Sequence, residues 1–430
     1  MLKRTFLSKK PRFEYESVGG VPMEAQQLPM PDKVTLFLEK PFDSKAQLAF
    51  KIGDPVRTGQ RIALYPESEA YVISSVTGTI SAISPYMGDF GRAFTAISIV
   101  TSPEDEWDTA FGEKLEEGIE AAADCLGCIP GGLFLEKFST PGSHIGTIVI
   151  SGAEEDLLTS TNQYVVRSGI AAMNTGISAL KKITGVHAVV VALPQSLMQD
   201  AGSVGGASGV ELRTLDTVYP SGLPRMVMRD VFGQVVPADK TCEEMGTCFV
   251  RAESVVALGK AILSKQLPVT KTLTLIRKDL SRVVVEARIG TPFSDVFKAA
   301  DISLFEKDRI IVGGPMVGAA VYSEDHPVCP DTDAIMVQDS SEVPPIADTP
   351  CINCGECVRI CPADVPVNML VRFLEARQYE DAADMYDLHS CVECGLCSFV
   401  CVSKIPIFQY IRLAKYELER VRSEEEAADV

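Results

Sequence analysis

The sequence predicts a multidomain protein of mixed α/β and α+β class that ends in a small helical, cysteine-rich domain. Three observations carry this expectation. The chain has 430 residues, 46% of them hydrophobic and 23% charged, which is more than one ordinary domain and a composition able to build real cores. Its middle contains continuous apolar runs of buried parallel-strand type, Thr147-Ile-Val-Ile-Ser151 and His187-Ala-Val-Val-Val-Ala-Leu193, separated by a helical stretch. Near its end stand two copies of the spacing C-x2-C-x2-C-x3-C.

Composition narrows the partners. Forty Lys and Arg face 58 Asp and Glu, a net charge of -18, which argues against nucleic acid because phosphates demand a basic surface. Apolar runs such as Ala188 to Leu193 fall far short of the roughly 20 residues of a membrane span, so no transmembrane segment of its own is expected. The opening residues carry no signal-peptide pattern, and 13 cysteines suit a reducing cytoplasm. Lys3, Arg4, Lys9, Lys10 and Arg12 make the start basic. A solvated terminus and a contact with an anionic surface both remain open readings.

The cysteine blocks are the strongest chemical signal. They read Cys351-Ile-Asn-Cys354-Gly-Glu-Cys357-Val-Arg-Ile-Cys361-Pro362 and Cys391-Val-Glu-Cys394-Gly-Leu-Cys397-Ser-Phe-Val-Cys401. Three closely spaced thiolates on one loop hold three irons of a [4Fe-4S] cube, and the fourth iron needs a sulfur from elsewhere. The expected ligand sets are therefore Cys351, Cys354, Cys357 and Cys401 for one cluster, and Cys391, Cys394, Cys397 and Cys361 for the other. Zinc would leave half of these thiols without a role. Disulfides are disfavoured by the tight spacing and by a chain too long to need staples.

Residues Lys33 to Thr101 read as short strands between Gly and Pro turns. Gly53-Asp-Pro-Val-Arg-Thr-Gly59-Gln60 and Ser74-Ser-Val-Thr-Gly78-Thr-Ile are patterned like a biotinyl or lipoyl β-sandwich, yet no lysine lies between Ile52 and Glu113 to carry a swinging arm. A structural or docking module is expected instead. Thr161 to Thr184 reads as the helix of a βαβ unit, preceded by the turn Cys125-Leu-Gly127-Cys128-Ile-Pro130-Gly131-Gly132. Ala252 to Lys265 reads as a helix and Thr270 to Lys278 and Arg282 to Arg288 as a hairpin, together a β-grasp sheet over one helix. Ser340 to Pro350 is a proline-containing linker. Val367 to Leu388 predicts two short helices between the blocks, and Pro406 to Glu426 a final amphipathic one. Cys125, Cys128, Cys242, Cys248 and Cys329 are expected to be ordinary buried thiols, and His389, two residues before Cys391, a solvent-exposed side chain.

This order of pieces, with Thr291-Pro292-Phe293, Gly313-Gly-Pro-Met-Val-Gly318 and Ser403-Lys-Ile-Pro406, resembles the RnfC family of membrane-bound, ion-translocating Rnf electron-transport complexes. The resemblance covers nearly the whole chain. It implies a barrel-sandwich hybrid within residues 1–105, a Rossmann-like flavin and NADH domain over 106–228, an SLBB-type β-grasp over 229–335 and a helical two-[4Fe-4S] ferredoxin-like domain over 336–430. It implies FMN and NADH chemistry ahead of the clusters, with Gly127, Gly131, Gly132, Gly152 and Glu154 as the matching positions. Side chains here replace glycines of the family's flavin loop in Leu126 to Pro130, and Ser151-Gly-Ala-Glu-Glu-Asp-Leu157 lacks the family's proline. A flavin-less relay fed by a protein donor is therefore the competing expectation. Partners implied are the other proteins of the complex and a redox protein such as ferredoxin, at the cytoplasmic face of the inner membrane.

Overall fold

The computed structural model describes residues 11–16, 24–139, 144–206, 209–343 and 349–428. Lys3, Arg4, Lys9 and Lys10 of the basic start, and Pro344 and Pro345 of the linker, lie outside these residues.

The N-terminal module is a four-stranded antiparallel sheet ordered Lys33–Leu38, Ala93–Thr101, Gly78–Met87, Pro55–Val56, beside a ribbon of Arg61–Ile62 and Val72–Ile73. Alternate residues Val34, Leu36 and Leu38 face inward onto Ile80, Ile97 and Ile99, the period-2 pattern of a half-buried strand. Gly53 and Gly59 take positive φ, at 96° and 83°, where a side chain would be strained. The hairpin tip carries Phe90, which stacks on Tyr416 of the final helix with ring centroids 5.6 Å apart. The module thus braces the cysteine-bearing domain.

The α/β unit is wholly parallel, ordered Val210–Leu215, Ala188–Pro194, Thr147–Ser151, Thr247–Arg251. The last strand and the helix Ala252–Ser264 that follows it were expected in the β-grasp, beyond a boundary at residue 228. They belong to this unit instead. The reason is helix packing: Gly176 of helix Ile170–Thr184 and Gly259 bring two backbones together so closely that a Cβ would lie 1.9 Å and 1.8 Å from the Val255 and Ala172 carbonyl oxygens. The single helix expected over 161–184 is two, Thr161–Ser168 and Ile170–Thr184. Gly169 breaks it, with a non-helical φ of -119° and ψ of 19° and no room for a Cβ beside Val256.

The β-grasp is a six-stranded mixed sheet, Gln26–Gln27, Arg282–Arg288, Thr270–Ile276, Ala334–Gln338, Arg309–Val312, Ala319–Val321. Its covering helix is Phe293–Ala299, whose Phe293, Val296 and Phe297 are buried on the sheet. The edge strand Gln26–Gln27 comes from the N-terminal region, so that region is shared between two domains. The predicted hairpin turn is present, with Leu280 at φ 62°. The cysteine-bearing domain consists of the two blocks, helices Val367–Glu375 and Tyr379–Tyr386, and the long helix Ile407–Ala428.

A buried ionic cluster joins the α/β unit to the β-grasp. Lys271, fully buried in strand Thr270–Ile276, donates to Glu253 at the start of helix Ala252–Ser264 and to Asp333, 3.0 Å away. Arg251 bridges Asp333 at 3.1 Å and Glu155 at 3.0 Å. Removing one partner of such a cluster strands the opposite charges in a dry site. Lys271→Met is therefore expected to lower unfolding free energy by about 3–5 kcal/mol. Lys271→Met combined with Glu253→Leu should recover part of the loss in the same anaerobic denaturation measurement.

Candidate metal centres and the neighbouring crevice

The two cysteine blocks are copies of one backbone motif displaced by 40 residues, from Cys351 to Cys391. Each places its second residue after the first cysteine in the left-handed region, Asn353 at φ 58° and Glu393 at 56°. Each continues with a left-handed glycine, Gly355 at 77° and Gly395 at 72°, which turns the loop into a short helix. Three residues after the last cysteine the pattern recurs, with Asp364 and Lys404 both at 54°. Pro366 and Pro406 then precede the helices beginning at Val367 and Ile407. This forty-residue repeat was a legible signal that sequence reasoning did not use.

Each cysteine set rings its own apolar cavity. Cys351, Cys354, Cys357 and Cys401 line one together with Val371, Ile405 and Ile407. Cys391, Cys394, Cys397 and Cys361 line the other with Val367, Phe408 and Ile411. Each loop of three thiols is completed by the fourth cysteine of the other block, the grouping that the spacing predicts. The donor chemistry fits an iron–sulfur cube: four sulfurs, a dry lining and positively curled loop backbone. Among the described residues, no group of three Cys, His, Asp or Glu side chains is placed to hold a single metal ion.

The two cavities differ in surroundings. The first lies at the surface, where Cys354 is exposed and the flanking Ile352 and Val402 are 66% and 58% exposed. The second is docked on the rest of the molecule. Tyr219 Oη donates to the Cys394 carbonyl at 2.7 Å, and Gly395 lies so close to Met316 that a Cβ would stand 2.3 Å from its carbonyl oxygen. The Gly313 to Gly318 motif is explained by this contact. Asp156 accepts N–H groups from Met316 at 3.1 Å and Val317 at 2.8 Å, and Gly314 leaves no space for a Cβ over the Asp156 carboxylate. Burial pushes the Asp156 carboxyl up to about 6 against those N–H donors.

A crevice of about 220 Å³ opens at the C-terminal ends of strands Thr147–Ser151 and Thr247–Arg251. The strand order reverses between those two neighbours, the usual ligand position in a doubly wound sheet. Of the flavin candidates, Gly131 and Gly132 line this crevice; Gly127, Gly152 and Glu154 do not. All four glycine amides already donate within the protein: Gly127 to Tyr71 Oη at 3.0 Å, Gly131 to Pro330 O at 2.8 Å, Gly132 to Ile129 O at 2.9 Å and Gly152 to Ala192 O at 3.0 Å. Arg251 is ion-paired, and so is Lys137, with Glu243 at 2.7 Å. These residues do not fit a phosphate nest, which needs free, convergent N–H groups. Sequence reasoning also missed Asn162, whose buried Oδ1 has no hydrogen-bond partner at the crevice. Cys125, Cys242 and Cys248 are buried and Cys128 and Cys329 half-buried, while His389 is exposed.

A helical domain with two interleaved four-cysteine sites, carried on a barrel sandwich, a parallel α/β unit and a β-grasp, defines an iron–sulfur dicluster protein. Residues 21–104 match the RnfC barrel sandwich hybrid domain and residues 350–405 the 4Fe-4S dicluster domain. The chain is 28% identical over 430 residues to the RnfC-type protein of the ion-translocating oxidoreductase complex of Klebsiella pneumoniae, covering 95% of this chain and 56% of that protein. It is 28% identical over 384 residues to the protein of the same name from Pseudomonas aeruginosa, covering 84% and 49%. The chain belongs to the RnfC family, and it spans about half the length of the curated relatives it matches. Among solved structures, a crystal structure of an NAD+-reducing [NiFe]-hydrogenase in the H2-reduced state is similar at a TM-score of 0.46 and 14% identity, over 73% of this chain and 63% of that one.

Glu154, beside the crevice, is 1% exposed; Oε1 accepts the Gln163 N–H at 2.9 Å, while Oε2 has no hydrogen-bond partner. Burial raises its carboxyl from 4.5 to about 7. The folded chain therefore holds a proton that the unfolded chain releases, and stability falls as pH rises from about 4.5 to about 7. Glu154→Gln is expected to be more stable than wild type at pH 8, by on the order of 2–3 kcal/mol. At pH 4 the two should match in anaerobic denaturation.

Proposed function

We propose that the chain is an electron-transfer subunit of a membrane-associated, Rnf-type ion-translocating oxidoreductase complex. The reading rests on the two interleaved cysteine sites, one against the protein interior and one at the surface, together with the family's printed role in its relatives. When bound, the two [4Fe-4S] clusters supply one-electron transfer. The thiolates of Cys351, Cys354, Cys357 and Cys401 hold the outer site and those of Cys391, Cys394, Cys397 and Cys361 the inner one. Val367, Phe408 and Ile411 keep water from the inner site. Tyr219 and Met316 fix its loop to the α/β unit and the β-grasp. Ile352 and Val402 rim the outer site, the natural place of electron exchange with a second protein.

The partners proposed are the other proteins of the complex and a small redox protein such as ferredoxin. The location proposed is peripheral, on the cytoplasmic side of the inner membrane. No helix among the described residues is long and apolar enough to cross a membrane, so attachment would run through another protein of the complex. A nucleotide-linked variant, with NADH reducing FMN ahead of the clusters, is not supported by the crevice, whose glycine amides are engaged. No step is routed through either group.

Anaerobic purification with iron, sulfide and flavin quantitation tests the proposal. The expected result is about eight irons and eight sulfides per chain, with a spectrum that bleaches on reduction and no released flavin. Zinc without iron would refute the relay. One FMN per chain would restore the nucleotide-linked reading.

A further inference from the structure

The two copies of the cysteine motif make a controlled comparison within one chain. Their cavity linings correspond position by position across the forty-residue shift: Cys351, Cys354, Cys357 and Val371 to Cys391, Cys394, Cys397 and Ile411. Two charged positions break the correspondence. Glu393 stands where the first copy has Asn353, and Lys415 where it has Glu375.

Lys415 sits one turn beyond Ile411 on the long helix. Its Nζ donates to the Cys391 carbonyl at 2.8 Å and to Glu393 Oε1 at 2.8 Å, with only 22% of its side chain exposed. The helix is clamped there from both sides. Arg412 lies over the rings of Phe90, at 5.3 Å, and of Phe408, at 5.7 Å, and Phe90 stacks on Tyr416. At the outer site the corresponding groups are neutral or solvated. Asn353 accepts from the Asn368 amide at 2.8 Å, and Glu375 is exposed.

We propose that Lys415 is an electrostatic tuning residue of the inner site, raising its reduction potential through the Cys391 loop, with Glu393 as the opposing charge that limits the effect. This rests on the electron-relay reading. A half-buried ammonium bonded to a ligand cysteine's own carbonyl stabilises the form of the site carrying the added electron, and the local charges are poorly screened. The outer site has no such cation in the matching place. The two sites are thereby made inequivalent by residues that ligate nothing.

The test is an EPR-monitored redox titration of the anaerobically purified full chain, with iron counted in each sample. Wild type should show two midpoints. Lys415→Met should move one of them to more negative potential and leave the other in place; Glu393→Gln should move the same one to more positive potential. Lys415→Arg, which keeps the charge, should stay near wild type. Unmoved midpoints in Lys415→Met and Glu393→Gln at full iron content, or equal movement of both, would overturn the proposal. If Lys415→Met loses iron, Glu393→Gln decides: a single positive shift supports the tuning role and no shift overturns it. Absence of iron from the wild-type chain would instead sink the relay reading on which the proposal stands.

Discussion

The geometry of a four-sulfur site governs this chain. A loop with C-x2-C-x2-C spacing presents three thiolates and cannot reach the fourth corner of a cube. Each block must therefore borrow a cysteine, and borrowing in both directions forces the two copies to interleave. The left-handed residues Asn353, Gly355 and Asp364, and their counterparts Glu393, Gly395 and Lys404, are the backbone cost of curling the loops. Residues in that region are uncommon outside glycine and persist where the surroundings over-determine them.

The remaining domains place this unit. Asp156, at the end of the turn after strand Thr147–Ser151, gathers the N–H groups of the Gly313 to Gly318 loop, and that loop presses Met316 onto Gly395. The same turn contains Glu155, which reaches Arg251 and through it the Lys271 cluster. One short segment therefore touches the α/β unit, the β-grasp and the inner cysteine loop. In place of a carrier lysine, the barrel sandwich offers Phe90 to the final helix. A fold associated with moving a covalent arm acts here as a fixed brace.

Much of this was legible in the residues. The cysteine grouping followed from spacing, because the chemistry of a cube allows few alternatives. The strands at Thr147–Ser151, Ala188–Pro194 and Arg282–Arg288, and the helices after each cysteine block, followed from apolar periodicity. Tertiary facts were not. Helix Ala252–Ser264 has the same pattern whichever sheet it covers, and only the close approach of Gly176 and Gly259 assigns it to the parallel one. The break at Gly169 depends on Val256, a residue of another helix. The flavin positions were chosen by alignment with a family loop, whereas their fitness depends on where each amide points, and all of them point into the protein.

The central claim is the exchange of the fourth cysteine between blocks, and iron counting in a one-site background tests it most directly. In a chain with Cys391, Cys394 and Cys397 changed to alanine, only the outer site remains, with about four irons. Adding Cys361→Ala should leave those irons in place, and adding Cys401→Ala should remove them. Loss with Cys361→Ala and retention with Cys401→Ala would mean that each block keeps its own four cysteines, and would contradict the account.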